Sequence, residues 1–155
     1  MHLNEILAAR AVRQVSKATS KKRLLCDLGH VAADVYGLEV DATIQALMDR
    51  EALGPTGVGG GVALPHARLP GLDVVHGVFF RLDTPIEFDA VDRKPVDLVF
   101  ALFAPEGAGV AHLKALALVS RTLRDRGLLA KLRANSDAHI LHTILTEARP
   151  SSEAA

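Results

Sequence analysis

Cysteine is almost missing from this 155-residue chain: Cys26 stands alone. One thiol excludes an intrachain disulfide framework and any zinc or iron–sulfur site built from several thiolates. Cys26 is expected to pack rather than react. Excess charge is also missing, because 18 basic and 18 acidic side chains cancel. There is therefore no electrostatic footprint for nucleic acid or anionic lipid. No apolar run approaches the roughly 20 residues that cross a bilayer. The start, Met1-His2-Leu3-Asn4-Glu5, has no basic flank leading into an apolar stretch, so no signal peptide is expected. Internal repeats, linkers and low-complexity segments are absent too. What is present is 49% apolar and 23% charged residues, ordinary for a globular protein and too apolar for disorder. A chain of this length buries about two-thirds of its unfolded surface and needs no staples. The expectation is a cytoplasmic protein with one domain over residues 1–149 and a flexible tail at 150–155. Seven histidines are the unusual feature, and chemistry is sought there.

Hydrophobic periodicity places the elements. Residues 20–37 read as a helix with Ser20 as N-cap, an apolar face of Leu24, Leu28, Val31, Ala32 and Val35, and Gly37 as its stop. Residues 41–53 repeat the pattern, with Asp41 as cap, Ile44, Leu47 and Met48 inward, and Gly54-Pro55 ending it. A glycine-rich turn then runs into a short apolar strand ending at Pro65-His66. Residues 74–82 and 96–104 are nearly continuous apolar runs, as in strands covered on both faces. The polar segment 83–95 between them carries Glu87, Asp89 and Asp92 and reads as turns. After a loop at Pro105, residues 110–126 read as a helix facing inward through Leu113, Leu116, Ala117, Ser120 and Leu123. Short helices follow at Leu128–Ala134 and from Ser136 or Asp137, the latter burying Ile140, Leu141, Ile144 and Leu145. Helices, buried strands and helices again make an α/β sandwich.

The glycines at 57, 59, 60 and 61 fit neither phosphate-loop pattern. No Gly-Lys-Ser/Thr opens a helix, and the cluster precedes a strand instead of following one. They read as a tight turn with positive φ angles, or as small residues that admit a close surface. His66 lies beside this turn, with Arg50 and Arg68 near it in sequence. A lone histidine is commonly structural. This one also suits a nucleophile toward phosphoryl groups, because neutral imidazole persists near pH 7 and guanidinium groups pair with the charge. His112 sits near a helix N-terminus, where an anion is favoured, or is simply a first-turn surface residue. His139 and His142 share a helix face without a third ligand and read as solvated. His2, His30 and His76 show no partner in sequence. Glu87, Asp89, Asp92 and Asp97 match no calcium loop and read as turn and rim residues.

The stretch from Arg50 through Gly57-Val58-Gly59-Gly60-Gly61 to Leu64-Pro65-His66-Ala67 resembles the phosphorylation-site motif of enzyme IIA domains of the fructose–mannitol class. These belong to the bacterial phosphoenolpyruvate-dependent phosphotransferase system. The segment Thr84 to Leu102 and His112-Leu113 after the Pro105 loop are similar to the same class, so the resemblance runs from about Leu3 to Glu147. It implies a three-layer α/β/α sandwich with a mixed β-sheet flanked by helices. It implies phosphorylation of His66 on Nε2 by an HPr-type phosphocarrier, with Arg50 and His112 as the accompanying active-site residues and no cofactor or metal. The chain reads as free-standing, without an attached IIB, IIC or HPr-like segment, and in that it looks most like the nitrogen-regulatory branch. That branch implies regulatory target proteins such as potassium transport or sensor kinase components. Ala67 and Arg68 stand where this branch often has glycine and lysine. Alanine there is common among sugar-specific members, so a sugar-specific enzyme IIA passing phosphate to a IIB domain is the alternative. A binding module with vestigial phosphorylation and a metal hydrolase using His66 and His112 are further alternatives.

Overall fold

Four of the described helices begin on a side-chain cap visible in the sequence. A computed structural model describes residues 1–107 and 109–148; the tail expected at 150–155 lies outside them. The elements are α1 (Leu3–Ile6), a 3-10 turn (Ala9–Ala11), β1 (Val12–Val15), α2 (Lys21–Tyr36), α3 (Val40–Leu53), β2 (Gly57–Gly59), β3 (Val62–Ala63), β4 (His66–Leu69), β5 (His76–Ile86), β6 (Val96–Pro105), α4 (Gly109–Thr122), α5 (Arg126–Arg133) and α6 (Ala138–Glu147). Ser20 caps α2 as expected, its hydroxyl accepting from Arg23 N–H, and Gly37 ends it in the left-handed conformation. The cap of α3 is Glu39, not Asp41: its carboxylate accepts from Asp41 and Ala42 N–H. The longer glutamate side chain loops back from one residue before the helix, so α3 starts at Val40. Asp125 and Asp137 cap α5 and α6 in the same manner.

The sheet is mixed. Its order is β1-β5-β6-β3-β2, with β4 also paired to β6. β1 runs parallel to β5, β5 antiparallel to β6, and β3 and β4 both parallel to β6. β3 and β4 keep one register: Val62 lies opposite Leu98, Ala63 opposite Val99, and His66 opposite Leu102. They are one strand interrupted at Leu64-Pro65. Proline removes a single donor, while its carbonyl still accepts from Leu102 N–H at 2.9 Å. The strand expected to stop at Pro65-His66 therefore continues to Leu69, and His66 opens its second half.

Every residue from Leu98 to Ala104 of β6 has 0% exposure, so both faces of the sheet are covered, as the apolar run predicted. α2 and α3 pack on each other, α2 also on β5 and α3 on β4; α4 packs on β6; α5 and α6 pack on each other, and α6 on β1. β1 was missed because Val12–Val15 is short and half polar, its residues beyond Val12 only half-buried. β5 extends to Ile86, into the segment read as turns, where Ile86, Phe88 and Ala90 alternate inward with exposed Glu87 and Asp89. No described helix is long and apolar enough to cross a membrane.

The inward face expected for α4 is right only in part: Leu123 is buried and Leu116 packs against the core, but Leu113 and Ala117 face outward. The helix buries His112, Ala115, Leu118, Val119 and Thr122, and leaves Leu113 65% exposed. α4 is apolar on nearly every side, so periodicity selects no unique face. In α6, likewise, Leu141 and Leu145 are buried while Ile140 is exposed.

Candidate active site

Three elements converge on one depression of about 510 Å³, lined by Ala46, Asp49 and Arg50 of α3, His66, Ala67 and Arg68 of β4, and His112, Leu113 and Leu116 of α4. All three residues singled out as an active site thus meet. His66 is half-buried at the start of β4. Its Nδ1 lies 2.8 Å from the Leu64 carbonyl oxygen. That oxygen only accepts, so Nδ1 carries the proton and Nε2 keeps its lone pair. Nε2 in turn accepts from Arg50 Nε at 3.2 Å, while Arg50 Nη1 donates to Gly54 O at 2.9 Å. The proline turn is what aims the Leu64 carbonyl back at the imidazole of the residue two positions on.

His112 is 4% exposed, which removes the reading of it as a first-turn surface residue. Its ring meets that of His66 edge-on, with centroids 5.4 Å apart and planes at 71°. Arg68 Nε donates to its Nδ1 at 3.2 Å. A guanidinium only donates, so the neutral ring bears its proton on Nε2, and this buried N–H has no hydrogen-bond partner among the described residues. Burial, then the neighbouring His66 and Arg68, push the His112 pKa down to about 4. The His66 pKa is also lowered, chiefly by burial, with Arg50 and Arg68 adding to the effect against the Leu64 hydrogen bond and the Glu51 charge. At neutral pH both rings are uncharged. The site offers one lone pair, one unpartnered donor and two guanidinium groups: a nucleophile with donors for an anion.

The glycine segment is the β2–β3 hairpin, not a phosphate loop. Gly59, Gly60 and Gly61 all have positive φ, as expected of a tight turn. Gly57 lets a surface come close, and that surface is the chain itself: a Cβ there would sit 2.7 Å from Ala90 Cβ. Of the acidic residues, Asp92 fits the turn reading, while Asp97 lies inside β6. Asp92 accepts from Gly60 and Lys94 N–H, and Asp97 pairs with Arg133 at 2.8 Å.

The other histidines lie elsewhere. His76 stacks on Tyr36 with centroids 4.2 Å apart, and His142 Nε2 donates to Leu7 O at 3.0 Å, so it is not on a purely solvated face. His30 and His139 are exposed. Among the described residues no three histidine, cysteine or acidic side chains form a group suited to a metal ion.

Two features escaped the sequence. One is Arg68 holding His112. The other is Glu51, 8% exposed directly behind the site. Its carboxylate accepts from Lys21 Nζ at 2.8 Å, from Thr56 N–H at 2.8 Å and from Thr56 Oγ1 at 2.6 Å. α3 carries charged residues around most of its circumference, so no pattern marks Glu51 as the inward one.

Comparison with known proteins gives the family and the fold. The family model described as "Phosphoenolpyruvate-dependent sugar phosphotransferase system, EIIA 2" matches residues 5–147. A nitrogen regulatory protein of Bradyrhizobium diazoefficiens is 46% identical over 155 residues, 100% of each chain. The crystal structure of the nitrogen regulatory protein IIA-Ntr from Neisseria meningitidis superposes with a TM-score of 0.85 at 35% identity, covering 93% of this chain and 99% of that one. The mannitol IIA of Escherichia coli shares the fold, with a TM-score of 0.75 at 21% identity over 89% of this chain and 97% of that one. The chain belongs to the EIIA type 2 family of the phosphoenolpyruvate-dependent sugar phosphotransferase system and is similar to its nitrogen regulatory proteins.

Proposed function

We propose that this protein accepts a phosphoryl group on Nε2 of His66 from the phosphohistidine of an HPr-type carrier, and that the phosphorylation state governs its binding to regulatory target proteins in the cytoplasm. The observation that carries this reading is the fixed tautomer of His66. Its Nδ1–H is held by Leu64 O, which leaves the Nε2 lone pair facing Arg50. The lone pair attacks phosphorus as the donor P–N bond breaks, and that bond's electrons return to the donor ring nitrogen. A donor ring protonated on its other nitrogen leaves neutral. The His66 ring keeps its Nδ1 proton and becomes the phosphorylated imidazolium, so no proton crosses the interface. The donor bond is already activated, and the scheme needs no metal.

Arg50 exchanges its hydrogen bond to Nε2 for charge-assisted bonds to phosphoryl oxygen. The unpartnered His112 Nε2–H supplies a further donor in a buried setting, where such a bond is worth more than in water. Catalysis here is positioning and charge stabilisation. A phosphoryl group then places about two negative charges in a depression lined by Leu113 and Leu116, with Val110 68% exposed in the same helix turn as His112. Partners that accept neutral apolar contact there and partners that need an anion are separated by electrostatics, without refolding.

The test is labelling from phosphoenolpyruvate with enzyme I and carrier. The expected result is one phosphoryl group on the wild type and none on His66→Ala. Normal labelling of that variant would overturn the assignment. Efficient passage of the label to a sugar-specific IIB domain would replace regulation by transport.

A further inference from the structure

We propose that Glu51, through Thr56, is a positioning residue that holds His66 in the tautomer competent for phosphoryl acceptance. The proposal rests on the reading of His66 as the acceptor. The observations form an unbroken chain. Lys21 Nζ and both donors of Thr56 fill the buried Glu51 carboxylate. Thr56 O accepts from Leu64 N–H at 2.9 Å. Leu64 O accepts from His66 Nδ1–H at 2.8 Å. On the other side of the same turn, Arg50 clamps Gly54 O and touches His66 Nε2. Successive residues of α3 therefore reach both nitrogens of one imidazole, Arg50 directly at Nε2 and Glu51 at Nδ1 through Thr56 and Leu64.

Stability alone gives no reason for this carboxylate. A buried ion pair commonly adds nothing over apolar residues of the same volume, because desolvation offsets the attraction. A fully satisfied polar network does fix one geometry. Geometry is what His66 needs, since a ring with its proton on Nε2 has its lone pair on Nδ1, turned toward Leu64 O, and none at Nε2 to attack with. Lys21 widens the frame: Nζ also contacts Phe88 O at 3.3 Å and Asp89 Oδ2 at 3.5 Å, tying α2 and the segment after β5 to the same carboxylate. The negative charge of Glu51 also works against the influence of Arg50 on the imidazole.

The experiment reads the ring nitrogens of His66 by long-range proton–nitrogen NMR on the unphosphorylated, nitrogen-15-labelled full chain at pH 8. The same proteins are assayed for single-turnover acceptance from the phosphorylated carrier. Wild type is expected as the Nδ1–H tautomer. Glu51→Gln and Thr56→Val are expected to show a tautomer mixture and about tenfold slower acceptance, the scale set by lost orientation. Thr56→Ser, which keeps the hydroxyl, is expected to match wild type in both. Folded variants that keep the Nδ1–H tautomer and the wild-type rate would overturn the proposal and leave Glu51 a purely structural residue. Thr56→Val decides by the same criteria if Glu51→Gln does not fold. The nitrogen spectrum needs no donor, so a wild type that accepts no phosphoryl group sinks the acceptor reading while the tautomers still decide the positioning role.

Discussion

At the residue scale, the site is two neutral imidazoles whose protons are placed by their neighbours. Leu64 O takes the Nδ1 proton of His66, and Arg68 forces the His112 proton onto Nε2. Burial lowers both pKa values, His112 to about 4. An NMR pH titration is therefore expected to show His66 titrating below the ordinary 6.5 and His112 near 4; a midpoint at or above 6.5 for either contradicts the geometry. A histidine whose folded pKa is depressed contributes stability above its unfolded pKa and loses it as pH falls toward the folded value. For His112 the window runs from 6.5 down to about 4. Wild type is expected to lose on the order of 2–3 kcal/mol more than His112→Gln between pH 7 and pH 4.5, measured by urea unfolding. Equal slopes for the two proteins would contradict the depressed pKa. His66 was legible because a glycine-rich turn and a proline mark it, and Arg50 and His112 were legible as its companions only through the resemblance of the surrounding motif to a known family. Glu51 and the Arg68–His112 bond were not, since neither a buried carboxylate on a charged helix nor a contact 44 residues apart leaves a local pattern.

At the element scale, the unit that builds the site is the strand β3–β4, which passes through Pro65 without losing register on β6. Sequence reasoning ended it at the proline because proline ordinarily stops a ladder. Here only one donor is lost. The β2–β3 hairpin feeds this strand and sits against Ala90 through Gly57. Gly57→Val would put Cβ 2.7 Å from Ala90 Cβ and 2.8 Å from its Cα, so backbone must move. The expected destabilisation is about 1–3 kcal/mol by chemical denaturation; an unchanged midpoint would contradict this packing. α4 shows the opposite failure of pattern, since apolar residues on nearly every side blurred the choice of inward face. The outcome is useful to the site, because Leu113 is left 65% exposed beside His66. Leu113→Ser is expected to leave stability within about 0.5 kcal/mol while slowing acceptance at limiting carrier about tenfold. A large drop in melting temperature, or an unchanged rate, would contradict Leu113 as a docking residue.

At the scale of the whole molecule, a mixed sheet buried on both faces holds still the edge on which His66 stands. β5 and β6 were legible as apolar runs, and helices before and after them made the sandwich predictable. β1 was not, because four half-polar residues beside a central strand carry no period of their own. The 18 basic and 18 acidic side chains cancel, so the chain has no formal net charge. One phosphoryl group is then a large local change on an otherwise neutral protein. The most direct measurement is to phosphorylate the full chain from phosphoenolpyruvate with enzyme I and carrier, map the modified residue by mass spectrometry, and assign the modified ring nitrogen by NMR. The predicted result is a single phosphoryl group on Nε2 of His66, with Nδ1 still protonated. Phosphate on Nδ1, or on any other residue, would contradict the account.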